Sequence, residues 1–178
     1  MKTITLFALF VLTSAAAIAQ YKPVDKKSTI DFTIANFGFD VKGSFTGLQG
    51  LINFDSQVPG NSSMDITIDA NTVNTNNDLR DKHLKDEGYF DVKNYPNIHF
   101  QSSKIVDGRK SGNYLVTGKL TIKGKSKDIS IPFTAEQQNE EFIFKGTFKI
   151  NRKDFGIGGT STVSNELEIS LNVDAVKA

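Results

Sequence analysis

Apolar side chains recur at every second position along most of this chain. Phe142, Phe144, Phe148 and Ile150 mark one such segment, and Leu167, Ile169, Leu171 and Val173 another, with Lys, Asn, Ser and Glu between them. A period of two puts these side chains on one face of a pleated strand and the polar ones on the other. The same alternation offers Ile30, Phe32 and Ile34 in residues 28–35, and Met64, Ile66, Ile68 and Ala70 after the turn Pro59-Gly60-Asn61. A longer stretch, 41–55, presents Val41, Phe45, Ile52 and Phe54, and its interspersed Gly43, Gly47 and Gly50 predict a bent or bulged strand. Strand character resumes over 98–105, 114–122, 127–134, 141–150 and 165–176. Asp107-Gly108, Lys123-Gly124 and the polar run 137–140 mark connections between them, and a glycine-rich loop over 156–162 leads into the last strand.

The period breaks once. Residues 76–86 are helix formers, with Asp78 four before Lys82 and Asp81 four before Lys85, while Leu79, His83 and Leu84 share one side. This predicts a short helix lying over one end of an all-β domain. With some eight greasy strand faces and little helix to cover them, the faces must cover one another, either as two stacked sheets or as one sheet closed into a barrel. A closed barrel lined in this way is a container for something oily.

Composition changes the picture in three places. Lys2, the apolar run 4–12 and Ala17-Ile18-Ala19 read as a secretory leader over residues 1–19, leaving 20–178 as one exported domain. The apolar run is too short to span a bilayer. Setting Lys2 aside from 21 basic residues against 20 acidic leaves the charges balanced, which gives no footprint for nucleic acid or an anionic surface. Cysteine is absent, so disulfides, thiolate metal sites, lipid attachment through Cys and a Cys nucleophile are all excluded.

Sharper chemistry finds little support. His83 and His99 are the only histidines, on different elements, and with carboxylates placed outside they give no metal site. No serine sits in a nucleophile elbow. Gly156-Ile157-Gly158-Gly159 lacks the Lys-Ser/Thr of a phosphate loop and reads as a rim. Asn61-Ser62-Ser63 resembles a sequon but lies in a turn. On the Phe100 face, Ser102 and Lys104 are the polar positions that alternation points inward.

Taken in order, several segments resemble one family. Arg80-Asp81-x-His83-Leu84 is followed by Phe90-Asp91-Val92, Tyr95-Pro96 and Phe100; Gly43-Ser44-Phe45 leads into Gly50-x-Ile52-x-Phe54-Asp55. The run Gly118-Lys119-Leu120-Thr121-Ile122-Lys123-Gly124 precedes Pro132-Phe133, and Asn151-Arg152-x-Asp154-Phe155-Gly156-Ile157-Gly158 precedes the last strand. The set, spanning about residues 22–176, is similar to the YceI-like polyisoprenoid-binding proteins. The resemblance implies a lipocalin-like fold, an extended eight-stranded antiparallel barrel with a short helix near one mouth. It also implies a bacterial periplasmic or secreted setting, and a lumen holding a long isoprenoid chain such as that of a quinone or polyprenyl lipid.

In such a barrel the inward set Phe32, Ile34, Phe45, Ile52, Phe54, Met64, Ile66, Ile68, Phe100, Val116, Leu120, Phe142, Phe144, Phe148, Leu167, Ile169 and Leu171 becomes the lining, with Gly118 and Gly146 keeping the bore open. Arg80, Asp81, His83, Arg152 and Asp154 fall near element ends. Arg80, Asp81, Arg152 and Asp154, together with Asp91, are expected either to form ion pairs tying the helix and the 151–156 corner to the barrel or to meet a polar head group at the mouth. The expected role is a lipid carrier or store with no cofactor, making transient membrane contact, with an exposed edge or rim available for a homodimer. The alternatives are a small barrel enzyme acting on a lipophilic substrate and a structural module with a packed interior.

Overall fold

Antiparallel pairing runs through the whole sheet, and its closure depends on a strand too short to show alternation. The computed structural model describes residues 19–159 and 162–178; all but the last residue of the expected leader, and two residues of the 156–162 loop, lie outside them. Among the described residues the strands are β1 (Gln20–Pro23), β2 (Thr29–Asn36), β3 (Phe39–Phe45), β4 (Gln49–Asn53), β5 (Ser63–Asp69), β6 (Asn97–Asp107), β7 (Asn113–Ile122), β8 (Lys125–Gln138), β9 (Glu141–Asn151) and β10 (Val163–Lys177), with one α-helix, α1 (Asp78–Lys85). β1 pairs with β4 on one side and β10 on the other. With β4 to β10 it completes an eight-stranded antiparallel barrel. The sheet is closed on itself rather than stacked on a second one.

β10 changes partner along its length. Residues Val163 to Asn172 pair with β2, and from Ala175 onward β10 pairs with β1. The hairpin β2–β3 is therefore added to the wall at one end of the barrel only. The expected single strand over 41–55 is split between Phe45 and Gln49, with Gly47 in the gap at φ of +76° and Gly50, the second residue of β4, at +136°. At Gly50 a Cβ would lie 2.0 Å from the Asp65 carbonyl oxygen, so only glycine fits. On the far side, β8 and β9 pair only from Phe133↔Gly146 to Gln138↔Glu141. Beyond Gly146 the seam is occupied by the 3-10 turn Arg152–Phe155, which packs on β8 and β10 with Phe155 buried.

The end away from α1 is filled by aromatic rings. Tyr21, Phe54, Tyr114, Phe133, Phe142 and Phe144 are all buried, with ring centroids 5.0–6.2 Å apart and mostly edge-on contacts. Each such pair adds about 0.5–1.5 kcal/mol beyond area burial. Phe54 is the hub, meeting Tyr114, Phe133, Phe142 and Phe144.

Two inward glycines do something other than keep a bore open. A Cβ on Gly118 would lie 2.7 Å from Phe100 Cζ and 2.5 Å from the Gln101 carbonyl, so the Phe100 ring lies over this glycine. Gly43 seats the Phe32 ring in the same manner, its Cβ position being 2.3 Å from Phe32 Cζ. Gly146 does face the hollow, but a Cβ there meets the Pro132 carbonyl at 2.9 Å. A bulge between Ser102 and Lys104 also reverses parity in β6, turning Lys104 out and Ile105 fully in. Ser102, half-buried, uses its hydroxyl to accept from the Met64 N–H at 2.8 Å.

Gly50→Ala is expected to destabilise the barrel by about 3 kcal/mol or more, because a backbone collision and a disfavoured φ act together; chemical denaturation measures it. The plug predicts an alkaline limit to stability. Burial first, and the Asp107 carboxylate second, raise the Tyr114 phenol above its ordinary 10.0. Folded protein thus keeps a proton that unfolded protein has lost, so this contribution is complete below about pH 10 and disappears as pH rises through the higher folded value. Denaturation midpoints across this range should fall less steeply in Tyr114→Phe than in the parent.

Candidate functional site: an apolar cavity open at one end

Above the aromatic plug the barrel is hollow. A cavity of about 590 Å³ occupies this half, walled by inward side chains of β2 to β10. Of the expected lining, Phe32, Ile34, Phe45, Ile52, Met64, Ile66, Ile68, Phe100, Val116, Leu120, Phe144, Phe148, Leu167, Ile169 and Leu171 face it. Phe54 and Phe142 do not. Both have the right parity but lie deeper, inside the plug, where Phe133 and Phe144 form the floor in front of them.

Further wall residues follow the same alternation, among them Ile30, Ile98, Ile122, Ile131, Ile150 and Val173. Others come from the non-strand segment after β5 and could not be read from a period of two: Thr75, Asn77, Leu79, Leu84, Tyr89 and Phe90. Phe90 stands edge-on to Phe45 at 5.5 Å, continuing the wall across α1. The shared side of Leu79, His83 and Leu84 was the sequence signal for this contribution.

The mouth lies where exposed residues join the wall. Asn77, Leu79, His83 and Tyr89 are exposed and line the cavity, so it opens beside α1. Asn77 caps this helix, its side-chain oxygen accepting from the Arg80 N–H at 3.0 Å. Arg80 then reaches back to Thr75, donating from Nε to Oγ1 at 2.7 Å and from Nη2 to the carbonyl at 2.8 Å. Asp81 accepts from the Thr75 N–H at 2.9 Å and from its hydroxyl. Arg80 and His83 thus border the cavity, whereas Asp81 is turned to the loop behind it.

The opposite rim is held by Arg152. Its guanidinium is buried and donates to the carbonyls of Ser164 at 2.9 Å, Ile157 at 2.7 Å and Val163 at 3.1 Å, while also bordering the cavity. Asp154 is exposed and away from the wall. Asp91 is buried with φ of +50°, its carboxylate accepting from Asn94 Nδ2 at 3.0 and 3.1 Å and its carbonyl from the Tyr95 N–H at 2.8 Å. The partners seen are carbonyls, an amide and a threonine rather than opposite charges: Arg80 and Asp81 bind Thr75 in the loop leading into α1, Asp91 binds Asn94, and Arg152 joins the 151–156 corner to the start of β10. Among the described residues the ion pairs are Lys27–Glu141, His99–Asp65, Lys145–Glu136 and Lys149–Glu166, all on the outer surface.

Beside the mouth the β2–β3 hairpin carries two aromatic rings into solvent. Phe37 and Phe39 are 73% and 77% exposed, and Leu79 on α1 is 67% exposed. Phe37 holds φ of +51°, a conformation disfavoured for a bulky side chain. Asn36, at the base of this turn, lines the cavity and accepts from the Thr162 hydroxyl at 2.9 Å.

Comparison with known proteins agrees with this geometry. Residues 21–175 match the YceI-like domain. The chain is 30% identical to Protein YceI of Salmonella arizonae over 185 residues, covering 97% of this chain and 95% of that one. Among solved structures, BcnA of Burkholderia cenocepacia superposes with a TM-score of 0.82 at 28% identity, covering 86% of this chain and 99% of that one. The Campylobacter jejuni YCEI protein gives 0.70 at 26% identity, covering 100% and 99% respectively. A polyisoprenoid binding domain from Saccharophagus degradans shares the fold at a TM-score of 0.72 and 17% identity, over 89% of this chain and 98% of that one. With the matched region running from β1 nearly to the end of β10, the chain belongs to the YceI-like family.

Proposed function

We propose that this protein binds a long-chain isoprenoid-type lipid, a quinone or polyprenyl lipid, in its barrel and acts outside the cytoplasm as a carrier or store rather than as an enzyme. One observation carries the reading: a cavity of about 590 Å³ with an almost wholly apolar wall, blind at one end and open at the other. A tail enters and the polar end stays at the mouth, where Asn36, Asn77, Arg80, His83 and Arg152 are gathered. The polyisoprenoid-binding domain that shares the fold supports the choice of ligand class.

Energetics favour a carrier. A buried methylene gains about 0.8 kcal/mol relative to water, so a long tail does not leave into solvent. Membrane is the real competitor, and moving a tail from bilayer to apolar cavity is nearly neutral. The cavity therefore matches the bilayer, and exchange depends on reaching it. Phe37, Phe39 and Leu79, solvent-exposed beside the mouth, supply apolar groups for transient contact with a lipid surface. For the enzyme alternative the lumen offers little, since Lys104 is turned out by the β6 bulge and Ser102 is engaged with the Met64 amide.

Organic extraction and native mass spectrometry of protein purified from a lipid-containing host are expected to yield one lipid per chain. Protein that emerges empty and takes up neither a prenyl quinone nor a polyprenyl alcohol from vesicles overturns the reading. Replacing both hairpin rings, Phe37→Ser with Phe39→Ser, is expected to slow lipid uptake from vesicles about tenfold or more, the loss of two inserted rings at about 1.5–3 kcal/mol each being ample. Capacity at equilibrium should not change. An unaltered rate would remove the hairpin from the exchange step.

A further inference from the structure

We infer that the aromatic plug centred on Phe54 is a length ruler, setting how far a tail descends and selecting chains of about four to five isoprene units. This rests on the lipid-carrying reading and gives it a length. Six rings fill the closed end, every one buried, so a tail cannot pass without displacing one. Phe133 and Phe144 present the floor to the cavity, and Phe54 stands behind both, at 6.2 and 5.2 Å.

Two independent measures bound the space above the floor. Allowing about 30 Å³ for each water-sized group, comparable to a methylene, a cavity of about 590 Å³ holds roughly 20 such groups. The wall contributed by β10 runs from Val163 to Val173. At about 3.3 Å per residue, and with strands tilted by roughly 40°, this is on the order of 25 Å of depth. An isoprene unit puts only four of its five carbons in the chain, so the volume admits about four units and the depth about five in an extended form.

Selection by length follows from the two ends being different. A shorter tail leaves the floor without contact. A longer one leaves methylenes in water at the mouth, and each costs about fourfold in affinity relative to remaining in the bilayer. Retention should therefore peak at one length. The peak position is set by the floor, because the mouth is bounded by polar groups that hold the head.

The test presents an equimolar series of polyprenyl alcohols, from two to eight isoprene units, in vesicles, and reads the retained species by native mass spectrometry. The parent protein is expected to peak at about four to five units. Phe54→Ala, which opens space behind the floor, should move the peak up by about one unit; if it does not fold by circular dichroism, Phe54→Leu should move it in the same direction by less. Leu171→Phe, which adds bulk to the wall beside Gly146 on the neighbouring strand, should move it down. An identical peak in all three folded proteins, or a parent peak at six units or more, overturns the ruler and leaves the carrier reading standing. A parent protein that retains no member of the series overturns the carrier reading itself.

Discussion

Everything in this structure depends on how many strands surround the interior at each level. An eight-stranded ring is just wide enough for side chains to fill. Where β10 pairs with β1, the six aromatic rings of the closed end do fill it. Where β10 pairs instead with β2, a hairpin has been added to the wall. On the other side β8 and β9 have parted beyond Gly146, with the Arg152–Phe155 turn set into the seam. A wider perimeter cannot be filled by side chains reaching inward from it. The cavity is thus a consequence of perimeter, and the partner change in β10 is its origin.

The same logic explains why apolar residues of similar parity have different roles. Phe54 and Phe142 lie in the narrow ring, where rings from opposite walls meet. Phe32 and Phe100 lie higher, where the opposite wall is out of reach, and they fold down instead. Phe32 rests on Gly43 and Phe100 on Gly118, ring against backbone within the sheet. Glycines in these strands therefore keep the wall thin by giving rings a place to lie flat.

Much of this was legible in the sequence. Alternation identified the inner face of nearly every strand, and the break in period over 76–86 located α1, which the structure bounds at Asp78–Lys85. Most of the expected lining does face the hollow. What alternation lacks is depth: a period of two assigns a side but no height along the axis, so Phe54 was indistinguishable from Phe45. Nor can it register a bulge before one is seen, and Lys104 was sent inward for that reason. β1 escaped because four residues carry too little pattern, although closure of the ring rests on them. Arg80, Asp91 and Arg152 were recognisable as positioned charges, but the partners seen are neutral groups, the Thr75 hydroxyl and carbonyl, the Asn94 amide and the carbonyls of Ile157, Val163 and Ser164, which no pairing of opposite charges would suggest.

The two halves differ in how completely their side chains are buried. Closed-end side chains are buried and mutually packed, whereas Ile34, Ile66, Ile68, Phe148, Leu167, Ile169 and Leu171 in the open half are only partly buried. These have left water incompletely on folding and so contribute less than they could. A tail lying among them would complete their burial, standing in for the opposite wall that the wide perimeter puts out of reach. Binding and folding are then linked through the same surface: an occupied barrel gains stability in proportion to the logarithm of ligand concentration over its dissociation constant. With no disulfide to brace the chain, the narrow aromatic ring is the part of the barrel whose side chains complete their packing among themselves.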